Sequence, residues 1–104
     1  MKRAIAVWLL AGCGTSVPPA PDELALERYE SARRLFAEAR YAEAVVEYEA
    51  VVKHRDRIRD AWWRLADCYE RLGDRAAAAR TLRRWLGLQP TDVEARRRLE
   101  GLSS

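Results

Sequence analysis

The chain repeats itself at an offset of 34 residues, and this periodicity restricts its fold more than any other feature. The offset aligns small residues with small ones and bulky apolar or aromatic residues with each other, with no insertion. The pairs are Ala32 with Ala66, Leu35 with Tyr69, Ala44 with Ala78, Tyr48 with Leu82, Ala61 with Ala95, and Leu65 with Leu99. A period of roughly 20 to 50 residues is typical of stacked units that bury their apolar faces only against one another.

Apolar residues recur every three or four positions within these repeats, which predicts amphipathic helices. Gly73 is a helix-ending residue, and Asp74 can cap the helix that follows. Pro90 disfavours helix at the residue before it, and Thr91 with Glu94 has the pattern of a capping box. We therefore expect an all-α fold with helices near 22–38, 41–54, 59–72, 75–87 and 92–101.

The middle of the chain resembles the tetratricopeptide repeat. Residues 59–92 carry the pattern of that family at Trp62, Leu65, Ala66, Tyr69, Gly73, Ala78, Leu82 and Pro90. The repeat at 25–58 matches less well, because it has Arg28 for the Trp, Ser31 for the Leu, Ala39 for the turn Gly and Asp56 for the Pro. The resemblance implies a solenoid of helical hairpins, about two and a half repeats long, closed by a capping helix at 93–102.

The family resemblance also implies a binding surface. Tetratricopeptide repeats hold extended peptides or helices of other proteins in a concave groove, which is lined by fixed positions of each first helix. In repeat 59–92 those positions are Asp60, Trp63, Asp67, Glu70 and Arg71, and in repeat 25–58 they are Leu26, Tyr29, Arg33 and Phe36.

Trp63 is the strongest candidate anchor among these residues. Its neighbour Trp62 is the packing residue of the repeat, so Trp63 must face elsewhere, and Trp and Tyr are favoured at interfaces. The alternative is that Trp63 and Tyr29 pack on one another and only close a small domain.

The first residues of the chain carry a different signal. Lys2 and Arg3 precede the apolar run 4–11, which suits a signal peptide and is too short to span a bilayer. The run ends in Leu10-Ala11-Gly12-Cys13, which resembles the lipobox of bacterial lipoproteins. The resemblance implies cleavage before Cys13 and acylation of its thiol. The alternative is an ordinary apolar N-terminus with Cys13 in the core.

These features divide the chain into a leader at 1–12, a Pro-rich tether at 13–21 and a repeat domain at 22–104. Proline favours an extended, semi-rigid chain, which suits a tether between a lipid anchor and a folded domain. By the lipoprotein resemblance, Gly14 rather than Asp after the cysteine implies the outer membrane. We therefore expect a lipid-anchored protein of the bacterial cell envelope that faces the periplasm.

The charge balance does not favour a nucleic-acid partner. Without the leader the chain has 17 basic and 16 acidic residues, whereas nucleic-acid binders usually have a basic excess. The charge is unevenly distributed, because residues 22–50 carry 8 acids and 4 bases while residues 51–104 carry 8 acids and 13 bases. Arginines at 80–84 and 96–98 could contact anionic lipid headgroups, or could simply be solvated helix faces.

The sequence predicts no catalytic, metal or cofactor site. It contains one histidine, His54, and no asparagine, which removes most catalytic and metal-binding arrangements. Cys68 precedes Tyr69, a residue of the apolar stripe, so we expect Cys68 to be a buried small residue rather than a reactive thiol.

The sequence therefore predicts a non-enzymatic protein-interaction module, a scaffold or adaptor in envelope assembly such as outer-membrane, pilus or secretion machinery. Two alternatives remain at this stage. The chain could be a structural subunit that self-associates through its repeats, or a cytosolic adaptor of the same repeat class if the leader is not processed.

Overall fold

A computed structural model describes residue 18 and residues 20–103 as a chain of five helices. The helices are α1 (Pro21–Ala37), α2 (Tyr41–His54), α3 (Arg59–Arg71), α4 (Arg75–Leu88) and α5 (Val93–Ser103). Each predicted helix is present, with ends within two residues of the expected ones, so the all-α prediction is confirmed. The predicted leader, the predicted acylation site Cys13 and most of the predicted tether lie outside the described residues.

The helices pair into two hairpins and a final single helix. α1 packs on α2 and α3 on α4, while α2 contacts α3, α4 contacts α5, and α1 also reaches α3. Small residues at the crossings allow close approach, since Ala32, Ala44, Ala61, Ala66, Ala78 and Ala95 are all fully buried. One apolar core runs through all five helices, as expected for stacked repeats.

The two hairpin turns have the same backbone hydrogen bonds. The amide of Arg40 donates to the Leu35 carbonyl at 2.9 Å, and 34 residues later Asp74 donates to Tyr69 at 2.8 Å. Both turns need a residue with positive φ, which is Ala39 (φ 60°) in the first and Gly73 (φ 82°) in the second. Glycine adopts this conformation freely, whereas an L-residue is strained in it.

Two capping predictions have different outcomes. Asp74 accepts a hydrogen bond from the Ala77 amide at 3.0 Å, which confirms it as the cap of α4. The predicted capping box at Thr91 and Glu94 is wrong, because Asp92 caps α5 by accepting from the Ala95 amide at 3.1 Å. The Asp92 carboxylate also accepts from the indole of Trp85 at 2.8 Å. This tertiary contact holds the cap one residue later than the local pattern indicates.

The core of the second hairpin is built around two tryptophans. Trp62 of α3 and Trp85 of α4 are 3 % and 4 % exposed, with ring centroids 6.2 Å apart. Each indole N–H has a partner, because Trp62 donates to the Asp56 carbonyl at 3.0 Å and Trp85 donates to Asp92. Satisfied N–H groups let these large side chains be buried without a desolvation penalty.

The described part of the chain contains no helix that is both long and apolar enough to cross a membrane.

Candidate functional site

α1, α3 and α5 share one face of the molecule, which we call the groove face. The Tyr29 hydroxyl of α1 donates to the Asp60 carboxylate of α3 at 2.7 Å. From the other side, Arg98 of α5 donates to Glu70 of α3 at 2.7 Å and to Asp67. The structure therefore brings the first helices of successive repeats side by side. The predicted site residues lie on these helices: Tyr29, Arg33, Phe36, Asp60, Trp63, Asp67, Glu70 and Arg71.

Trp63 is half-buried on this face, and two guanidinium groups lie close to its ring. The Cζ atom of Arg59 is 4.3 Å from the Trp63 ring centroid, and that of Arg98 is 4.8 Å away. Stacked cations attract the face of an aromatic ring. The two arginines come from α3 and α5, so Trp63 helps to join the last helix to the repeat before it.

Tyr29, the residue equivalent to Trp63 in the first repeat, has different neighbours. Its ring meets that of Tyr48 edge-on, with centroids 6.4 Å apart, and Arg33 lies 5.8 Å from it. Among the described ring contacts there is none between Tyr29 and Trp63. Burial, together with the hydrogen bond to Asp60, raises the pKa of Tyr29 to about 12. The hydroxyl therefore stays protonated and donates to Asp60 across the neutral range.

Arg71 lies near the other end of the groove face and connects α3 to the first hairpin. Its guanidinium donates to the Tyr41 hydroxyl at 2.8 Å and lies 5.4 Å from that ring. The Tyr41 ring packs edge-on against Phe36 at 5.5 Å. Phe36 of α1, Tyr41 of α2 and Arg71 of α3 therefore hold one another in place at this end of the face.

Arg98 also belongs to the groove face, although the sequence analysis does not single it out. It was treated as part of an exposed basic run, yet its side chain is only 17 % exposed, with Asp67 and Glu70 as ion-pair partners. The repeat offset held the signal, since Arg98 is 34 residues after Arg64 and both extend towards the preceding first helix. In the other arginine run, at 80–84, Arg84 extends in a different direction and pairs with Glu49 on α2.

The groove face has two unequal cavities. The first, about 660 Å³, lies between α1, α2 and α3 and is lined mainly by Phe36, Tyr41, Tyr48 and arginines. The second, about 280 Å³, lies beside Trp63 and is bordered by Glu94, Arg97 and Arg98. The larger cavity is in the less regular repeat, where the sequence departs from the pattern of the family.

Cys68 and His54, the residues with the most reactive side chains, have opposite surroundings. Cys68 is fully buried, as predicted, and burial raises the pKa of its thiol to about 11, so it carries no thiolate at neutral pH. His54 is exposed at the last position of α2. The described residues hold no cluster of His, Cys, Asp and Glu suited to a metal ion.

Comparison with known proteins agrees with this architecture. A profile of the tetratricopeptide repeat matches residues 29–93, which is more than half of the chain. The protein is thus a helical-hairpin repeat protein, and it belongs to the tetratricopeptide repeat family. This family consists in general of non-catalytic repeats that bind other proteins. No curated protein gives a significant match over this sequence.

Proposed function

We propose that this chain is a lipid-anchored interaction module of the bacterial cell envelope, a scaffold or adaptor that holds a protein partner on its groove face. The observation that carries the binding role is the alignment of the first helices, which places aromatic and charged side chains of two repeats on one surface. Trp, Tyr and Arg are the residues most often found as anchors at protein interfaces.

Recognition on this face combines rings and charges. Trp63, Tyr29 and Phe36 offer apolar surface, while Arg33 and Arg71 are exposed at its edges. An extended segment can place side chains on both, so the partner we propose is a peptide or helix of another protein. No residue in this arrangement is required to form or break a covalent bond.

The anchoring part of the proposal is supported by sequence alone. The basic pair Lys2 and Arg3, the short apolar run and the Leu10-Ala11-Gly12-Cys13 pattern together suit a processed lipoprotein signal. An acyl group on Cys13, followed by the Pro-rich tether, would hold the repeat domain close to a membrane surface. We propose the outer membrane, on its periplasmic side, as that surface.

The anchor is tested by the mass of the N-terminal peptide from protein made in its own host, together with membrane fractionation. We expect a peptide that begins at acylated Cys13, and we expect Cys13→Ser to release the chain from the membrane. An unmodified peptide that begins at Met1, in the soluble fraction, contradicts the anchor and leaves a cytosolic adaptor.

The groove face is tested with a photoreactive residue in place of exposed Arg33. We expect it to cross-link a distinct envelope protein, and we expect the yield to fall several-fold when Trp63→Ala is added. A photoreactive residue at Val46, which is 62 % exposed on α2, serves as the control and should not give that product. Far-UV circular dichroism confirms that the Trp63→Ala variant is folded, and normal cross-linking by the folded variant rules out Trp63 as an anchor.

The competing proposal is a subunit that self-associates through its repeats. It is favoured by Val93 in the first turn of α5, which is 57 % exposed. Sedimentation at two protein concentrations separates the two proposals, since self-association makes the mass concentration-dependent and a monomeric adaptor does not.

A further inference from the structure

Two equivalent arginines, Arg64 and Arg98, have different surroundings in the two halves of the groove face. Arg98 of α5 is 34 residues after Arg64 of α3. In the second half of the face, two carboxylates of the preceding first helix meet the Arg98 guanidinium, which donates to Asp67 and to Glu70. The arginine in that half is therefore neutralised by acidic side chains from within the chain.

The first half lacks those two carboxylates. The residue equivalent to Asp67 is Arg33, and the residue equivalent to Glu70 is Phe36. Arg64 accordingly lies over the Phe36 ring, with its Cζ atom 4.8 Å from the centroid. The two carboxylates of the second half are therefore replaced in the first half by the positive charge of Arg33 and the apolar ring of Phe36.

The other charged residues of the first half do not replace the two missing carboxylates. Asp60 accepts from Arg64 at 3.3 Å, but it also accepts from the Tyr29 hydroxyl. Arg33 has no ion pair within the described residues, and neither has Glu30 at the cavity edge. With Arg33, Arg34 and Arg64 around the cavity against Glu30 and Asp60, the local balance is positive.

The wall of this cavity also contains an unpaired polar group. Tyr48 lines the cavity, its side chain is fully buried, and its hydroxyl has no hydrogen-bond partner. Buried hydroxyls are normally paired, and an unpaired one needs an explanation. The hydroxyl oxygen is itself buried, so an acceptor on a ligand in the cavity reaches this donor only if a neighbouring side chain of the wall moves.

We propose that the cavity between Arg33, Arg64 and Tyr48 binds an acidic side chain of an extended partner peptide. The Asp or Glu carboxylate lies between the two guanidinium groups, as Asp67 and Glu70 lie against Arg98. A volume of about 660 Å³ exceeds what one carboxylate fills, so an adjacent apolar side chain of the peptide packs on Phe36 and Tyr41. This assignment rests on the proposed function of the groove face and specifies its ligand.

The test uses the full chain and pools of fluorescent peptides that are acetylated at the N-terminus and amidated at the C-terminus. One pool has Glu next to Phe at its centre, and its matched pool has Gln next to Phe. We expect the Glu pool to bind about tenfold more tightly, since a hydrogen bond to a charged group contributes at least that much. Arg33→Asp should abolish the preference, whereas Arg80→Gln, an exposed arginine of α4, should leave it unchanged.

The outcomes separate this assignment from the proposed function. Equal binding of both pools, lost with Trp63→Ala, overturns the acidic pocket and leaves the groove face as a peptide site. Binding of neither pool at millimolar peptide overturns the pocket, and the Arg33 cross-link then decides the groove face independently. Tighter binding of peptides with a free C-terminal carboxylate, whatever their side chains, means that a chain terminus is the ligand. Self-association that Arg33→Asp abolishes means that a second copy of the chain fills the cavity.

Discussion

At the position where α3 carries Trp62, α1 carries Arg28, and the two side chains join their hairpins in different ways. Trp62 is buried against Trp85 of α4, whereas Arg28 is 40 % exposed and pairs with Glu47 of α2 at 3.2 Å. Buried aromatic contacts stabilise a fold far more than an exposed ion pair does. The same helical hairpin can therefore form with a buried aromatic residue or with an ion-paired arginine at this position, provided that the neighbouring helices of the stack are well packed.

The groove face repeats this contrast. The second half is closed by the ion pairs of Arg98, while the first half keeps a cavity, an unpaired Tyr48 hydroxyl and Arg33, which has no carboxylate partner among the described residues. The ion pairs of Arg98 thus join α5 to α3 in the second half, and we infer that the acidic-side-chain pocket lies in the first half. The two halves differ here because Arg33 and Phe36 stand where the second half has Asp67 and Glu70. Such a local difference in polar pairing is what a functional site is expected to show.

The largest expected difference concerns the tryptophan position itself. Trp62→Ala should cost about 3–5 kcal/mol of unfolding free energy, because it leaves a cavity and removes the indole hydrogen bond. Arg28→Ala, the change at the equivalent position, should cost about 0–1 kcal/mol. Urea unfolding followed by circular dichroism measures both. Similar losses for the two variants would show that the hairpins depend equally on this position.

A smaller effect is expected at the junction between α4 and α5, whose side-chain cap is missing from the equivalent junction between α2 and α3. Asp92 accepts from Arg59 at 2.7 Å and from Trp85, while the equivalent residue, Ile58, gives α3 no side-chain cap. Asp92→Asn should cost about 1–2 kcal/mol at pH 7, since it removes a charge from this network. Glu94→Gln is the matched control, because Glu94 also pairs with Arg59 but is 74 % exposed.

The same carboxylate predicts a pH dependence. The hydrogen bond from Arg59, with those from Trp85 and Ala95, holds the pKa of Asp92 well below its usual range. A pKa that is lower in the folded state adds stability above the unfolded value of about 3.9, and this stability is lost as the pH falls further. The difference between wild type and Asp92→Asn should therefore shrink from pH 7 to pH 2.5. A constant difference in urea unfolding over this range would contradict the charged role of Asp92.

The smallest effect is expected at the two turns, which differ by one residue. Gly73 has no side-chain neighbour within 4 Å of an added Cβ, so Gly73→Ala should cost about 1 kcal/mol through backbone strain alone. Ala39→Gly should stabilise the chain by about 0.5 kcal/mol, because the relief of strain exceeds the added freedom of the unfolded chain. Thermal unfolding measures the stability change of each variant. If both variants shift the unfolding temperature in the same direction, the two turns are not equivalent.

The fold was largely predictable from the sequence because its signals are local. The spacing of apolar residues, Gly73 and Pro90 set the helices and their ends to within two residues. The cap of α5 was predicted wrongly, because the choice of Asp92 over Thr91 depends on an indole seven residues away in the preceding helix. The groove positions of the family were placed on one face, but which of them are covered was not predictable.

By itself the sequence determined the repeat length, the all-α class and the order of hairpins, since periodicity and turn residues act over a few positions. It also carries the lipobox pattern, which stays a prediction. Only the tertiary structure decided that Arg98 pairs with Asp67 and Glu70 while Arg64 lies over Phe36. Those contacts join residues 28 to 31 positions apart. Their charge balance depends on which side chains the stacking of helices brings together, and no local pattern encodes that.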